Sequence, residues 1–140
     1  MADTSLGFRY RYRLSGGEPT IQNLLFKDTE TLTKGDLLNL ETGEVDLGAT
    51  NDTTFIGVAL ETKAGTDSTT RIKVITDWDA VYAVYDANAR LTGATLDIAG
   101  TTGAMTIAAS SNVDLIVVAE STAQEETLVM IAHGEHWQQP

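Results

Sequence analysis

The stretch TRIKVITDWDAVYAVYD, residues 70–86, holds two kinds of apolar run side by side. In TRIKVIT (70–76) Ile72 and Val74 alternate with Arg71 and Lys73, the period-two signature of a strand with one dry face and one wet face. In AVYAVY (80–85) both faces are apolar: Val81, Ala83 and Tyr85 on one side, Ala80, Tyr82 and Val84 on the other. Such a strand needs cover on both sides. The turn between them, Asp77–Trp78–Asp79, is polar around one aromatic ring.

The rest of the chain repeats this grammar. Apolar runs recur at 21–27, 36–40, 44–47, 54–60, 94–98, 104–108, 114–120 and 127–133. Between them lie ETGE, AGTDS, YDANAR, GTTG, SSN and STAQEE, rich in the Gly, Asn and Asp that tight turns require. Thr, Val and Ile favour a pleated surface, and proline occurs only at Pro19 and Pro140. With the 70–76 and 80–85 runs, this predicts an all-β fold. It reads as a small antiparallel β-barrel or β-sandwich of roughly ten short strands. Short helices have room only at 122–126 or 85–90. LIVVA (115–119) and LVMIA (128–132) are apolar on both faces, like AVYAVY. A second layer within the chain, an N-terminal segment, a helix or another subunit would supply the second cover. For the last case Val81, Tyr82, Val84 and Tyr85 are the oligomer-interface candidates.

At 140 residues the chain suits one β domain over 20–140. The N-terminus differs from it. Residues 1–13 carry Arg9, Arg11 and Arg13 against Asp3, net +2, while the remainder is net −13, for −11 overall. FRYRYR (8–13) followed by SGGEP (15–19) reads as an extended arm, residues 1–14, on a flexible linker, residues 15–19. As a strand, Phe8, Tyr10, Tyr12 and Leu14 share one face and the arginines the other. Tyr and Arg are interface residues, so Phe8, Arg9, Tyr10, Arg11, Tyr12 and Arg13 are the partner-binding candidates. Two other readings stand beside this. The segment could be a local edge strand whose arginines meet the chain's own carboxylates, or a platform for single-stranded nucleic acid. The acidic body argues against nucleic acid as a partner.

The inventory for chemistry is thin. The absence of cysteine removes disulfides, thiolate metal sites and cysteine nucleophiles. HGEH offers His133, Glu135 and His136 as ligands for zinc or nickel. Its spacing is not that of a zincin, and in a strand positions 133 and 136 face opposite ways. Asp77 and Asp79 flank Trp78 in the manner of acid/base groups beside a sugar-stacking ring, but catalytic pairs usually come from separate strands. No phosphate-cradling loop or nucleophile elbow is present. The sequence therefore predicts no catalytic residue, no metal and no cofactor. MADTSLGF lacks the pattern of a signal peptide, and no apolar run approaches ~18 residues, so no membrane partner is expected.

TLTKGDLLNLETGEVDLGATNDTTFIGVALE (31–61) joins a Lys-Gly-Asp turn, a short apolar strand, an acidic hairpin and an Ile-Gly-Val-Ala strand. RIKVIT follows, then VYAVYDANARLTGATLDIAGTTGAMTIA (81–108) and the closing strands DLIVVAE and TLVMIAH. This build resembles the small β-rich capsid decoration, or cement, proteins of tailed bacteriophages, over roughly 31–133. The resemblance implies a non-enzymatic virion protein on the capsid outer surface. Its partner would be the phage major capsid protein, and it would act as a homotrimer at local three-fold positions. It would hold coat subunits together against the pressure of packaged DNA. The alternative is a receptor- or carbohydrate-binding module of a virion spike or fibre, with Trp78, Tyr82, Tyr85 or Trp137 as stacking rings.

Overall fold

In the computed structural model the two halves of the 70–86 stretch enter different sheets. The structure describes residues 7–26, 31–49, 52, 54–65, 70–86, 88–100, 102–109, 113–122, 125–132 and 135–136. Among these, thirteen strands run in chain order. They are β1 Arg9–Arg13, β2 Ile21–Leu25, β3 Thr31–Leu32, β4 Leu37–Glu41, β5 Glu44–Leu47, β6 Phe55–Ala59, β7 Lys63–Ala64, β8 Arg71–Ile75, β9 Ala80–Asp86, β10 Thr95–Ala99, β11 Thr106–Ala109, β12 Leu115–Ala119 and β13 Glu125–Ile131. Six form one sheet in the order β1-β9-β13-β12-β10-β11, and five form another in the order β2-β8-β6-β4-β5. β3 and β7 make a short ribbon, and all of these strand pairs are antiparallel. The all-β expectation holds. The short helices expected near 122–126 and 85–90 do not: residues 125 and 126 belong to β13, and Arg90 bridges to Ser121.

Each sheet bends back on itself. Phe26, one residue past β2, forms a parallel bridge to Val45 of β5, so the two margins of the five-stranded sheet meet. Phe26, Leu38, Val45, Ile56, Ile72 and Val74 fill the space so enclosed, each at most 1% exposed. In the six-stranded sheet Thr106 Oγ1 donates to the Tyr85 carbonyl at 3.3 Å, so the last strand curls round to β9. A second core lies between the sheets, where Leu37, Phe55, Val58 and Ile75 meet Tyr82, Val84, Val129 and Ile131. β8 shows how the layers meet. Arg71 and Lys73 are exposed, but Ile75, on the same face, is buried because the strand there runs under the second sheet.

Gly57 makes the contact between β6 and β8 close. It adopts φ +153°, and a Cβ at that position would fall 1.5 Å from the Ile75 carbonyl oxygen, so only glycine fits. The Lys-Gly-Asp turn is a second anchor. Asp36 is fully buried and accepts from the Thr33 amide at 2.9 Å and the Gly103 amide at 2.9 Å, tying the β10–β11 hairpin to β4. The Gly35 carbonyl in the same turn accepts from the Phe8 amide at 2.8 Å.

The two-sided apolar character of AVYAVY finds its cover inside the chain. Ala80, Tyr82 and Val84 face the intersheet core. Val81 and Ala83 face outward and are still fully buried. On that face their cross-strand neighbours are Tyr12 and Arg9 of β1 and Leu128 of β13. Side chains of the two adjoining strands, β1 and β13, therefore flank this face from within the chain. Of the four oligomer-interface candidates, Val81, Tyr82 and Val84 are 1% exposed or less within a single chain, Tyr82 and Val84 in the intersheet core and Val81 beside Tyr12 of β1. Tyr85 is half-buried.

Candidate functional site

The residues expected to bind a partner lie in and beside β1, and β1 is an end strand of the six-stranded sheet. Arg9 pairs with Ala83 and Tyr10 with Tyr82; then the register shifts, and Tyr12 pairs with Val81 and Arg13 with Ala80. Arg11 is the extra residue of a β-bulge. One added residue exchanges the two faces of everything beyond it. Tyr10 thus lies on the core face, its ring edge-on to Tyr82 at 6.4 Å between centroids, whereas Tyr12 turns outward and is 42% exposed. Arg13 turns the opposite way, onto the side of Ala80. The expected split into one aromatic face and one arginine face is corrected accordingly.

The segment read as an extended arm lies on its own chain. Phe8 is 2% exposed and belongs to the intersheet core, and residues 9–13 are hydrogen-bonded into the chain's own sheet. Residues 13–20 are held by the Asp77–Trp78–Asp79 turn. Asp79 Oδ1 accepts from Arg13 Nε at 2.8 Å, and its Oδ2 accepts from the Ser15 amide at 3.1 Å. Asp77 Oδ2 accepts from the Thr20 amide at 2.6 Å, and its Oδ1 lies 3.6 Å from Arg13 Nη1. Burial pushes the Asp79 carboxyl up, but the Arg13 and Ser15 hydrogen bonds outweigh it and hold the group below its ordinary value. The two carboxylates that could have served a sugar-directed acid/base pair are thus spent on clamping the chain. Trp78 between them is 40% exposed.

Arg9 and Arg11 act on the outer face. Glu126 of β13 takes Arg9 Nη2 at 3.4 Å on one oxygen and Arg11 Nη2 at 3.1 Å on the other. The Arg11 side chain stays 54% exposed. A hollow of about 240 Å³ opens beside it, lined by Arg11, Tyr12 and Leu128. Glu126 and Leu128 carried no signal in the sequence, because nothing local announces that β13 lies two strands from β1.

At the C-terminus, His133 and Trp137 lie outside the described residues. His136 is 1% exposed and bridges to Phe55, and its Nε2–H donates to the Ile56 carbonyl at 3.1 Å. Burial lowers its pKa, against the hydrogen bonds to the Ile56 and Thr76 backbone, so the ring is held neutral inside the fold. Burial, and then Asp114, pushes Glu135 up. Among the described residues no group of three His, Cys, Asp or Glu side chains is arranged to hold a metal ion.

No protein-family model matches the chain, and no curated protein matches its sequence. Among solved structures the chain is similar to the head fiber gp8.5 N base of bacteriophage phi29. The TM-score is 0.51 and the identity 17%, covering 81% of this chain and 95% of that one. At that identity the likeness is one of fold.

Proposed function

We propose that this chain is a non-enzymatic virion structural protein. It binds the outer surface of a phage capsid and stabilises contacts between major coat subunits, as a homotrimer. The observation that carries the reading is the fold shared over 81% of the chain with a part of a phage head fiber. The composition and the strand-by-strand build of residues 31–133 point the same way. Repeated copies on a shell add weak contacts through multivalency, so no single deep pocket is needed. The glycan-binding alternative has less support. Tyr82 is buried and Tyr85 half-buried, which leaves Trp78, 40% exposed, as the one exposed ring among the described candidates.

The test is to add the purified full chain to heads assembled from the coat protein of the same genome. Electron microscopy then gives the occupancy, and heating gives the temperature of DNA release. Density outside the shell with a raised release temperature is expected. Density without added stability would remove the cement role and keep attachment. No density would overturn both.

A further inference from the structure

The β1 edge sets an exposed arginine beside an apolar hollow. As the end strand, β1 turns alternate backbone N–H and C=O groups away from β9. Its two ends are fixed by the Phe8–Gly35 bond and by the Arg13–Asp79 pair, while its middle is exposed at Arg11 and Tyr12. The bulge sets Arg11 apart from the ladder. Among the described residues Arg11 makes one hydrogen bond, to Glu126, and a guanidinium has five N–H donors in a planar fork. Beside it the Tyr12 and Leu128 hollow offers an apolar seat.

Charge selects among occupants. The first thirteen residues are net +2 on a chain of −11. Two β1 edges facing one another would oppose arginine to arginine, which disfavours self-pairing. A nucleic-acid strand would bring many phosphates toward a body of net −13. A peptide segment with one or two carboxylates meets Arg11 without that cost.

We propose that the β1 edge takes an extended, acidic segment of a protein partner as an added strand. A carboxylate of that segment pairs with Arg11, and an apolar side chain sits between Tyr12 and Leu128. Where the capsid reading holds, the segment belongs to the coat protein. The test does not depend on that reading.

The full chain, labelled with nitrogen-15, is titrated with a blocked hexapeptide alternating Asp with Val and Leu, to about 1 mM, the range of weak recognition. Shifts confined to the amides of residues 9–14 and 126–130 are expected. Affinity should fall at least about tenfold with Arg11→Glu, and similarly when the peptide carries Asn for Asp. Arg11 is exposed, so the variant folds; an unchanged amide spectrum elsewhere checks this. No shifts, shifts on another face, or equal binding of the Asn peptide would overturn the proposal. So would the same residues responding to a thymidine decamer and not to the peptide. A failed titration alongside capsid binding would leave the capsid reading intact and move its contact to another surface.

Discussion

Phe8→Ala tests whether the N-terminal strand is part of the folded unit or an appendage. Phe8 is 2% exposed, packs in the intersheet core, and donates its amide to Gly35. Removing a buried phenyl ring forfeits its transfer free energy and leaves a cavity, together about 3–5 kcal/mol. The intersheet core is bounded by two sheets hydrogen-bonded along their length, so little collapse into the gap is available and the upper half of that range applies. For a chain of 140 residues, where 1 kcal/mol moves Tm by about 3–4 °C, the midpoint should fall by about 12–20 °C. Calorimetry and urea unfolding monitored by Trp fluorescence measure this, with Trp78 sitting in the clamp that holds residues 13–20. Leu14→Ala is the control: at 53% exposure it should cost no more than about 0.5 kcal/mol. A Phe8→Ala midpoint within 3 °C of the parent, by about the same scale, would refute the reasoning and restore a detachable arm.

Stability should fall in acid in two stages. His136 has a depressed folded pKa, so below its unfolded value of about 6.5 the unfolded chain binds the extra proton, and stability drops as pH falls through that point. His136→Gln should flatten this first stage in melts taken between about pH 7 and 5; an unchanged slope would assign it to another group. Asp79 has a depressed folded pKa too. Its contribution is complete above the unfolded value of about 3.9 and is lost as pH falls from there through the folded value, a stage that Asp79→Asn removes. Tyr82→Phe should leave stability unchanged or raise it by up to about 1 kcal/mol. The Tyr82 hydroxyl is buried with no hydrogen-bond partner among the described residues, and burial, then Asp77, drives its pKa upward. A loss above about 1 kcal/mol in urea melts would show that the hydroxyl is paired.

What was legible in the sequence was whatever depends on local period. The alternation in TRIKVIT gave the two faces of β8, and the Thr, Val and Gly content gave the class. AVYAVY declared a need for two covers but not their source, because the covering residues lie about seventy positions upstream and forty downstream. The bulge at Arg11 was invisible. Bulges often announce themselves by glycine, and RYRYR alternates without a break, so Tyr12 and Arg13 were placed on the wrong sides. The role of Asp77 and Asp79 was hidden for the same reason as that of Glu126: their partners are joined by tertiary hydrogen bonds, not spacing. β3 and β7, two residues each, are too short to show any period.

The clustering of three arginines in five positions then has a physical account in two parts. The bulge sends Arg13 inward to the Asp77–Asp79 clamp and leaves Arg9 and Arg11 outward on Glu126. The inward arginine holds the strand, and the outward pair gives its edge a sign opposite to that of the body. This ordering matters for any partner. A free arm of five residues would lose about 1–2 kcal/mol of backbone entropy per residue on docking, about 5–10 kcal/mol in all. β1 has met that cost in folding, against β9 and the clamp. A partner strand arriving at this edge meets a preorganised surface, and the free energy of each contact goes into affinity and not into ordering the receptor. Loosening the clamp with Asp79→Asn should therefore weaken partner binding even though Asp79 faces away from the edge.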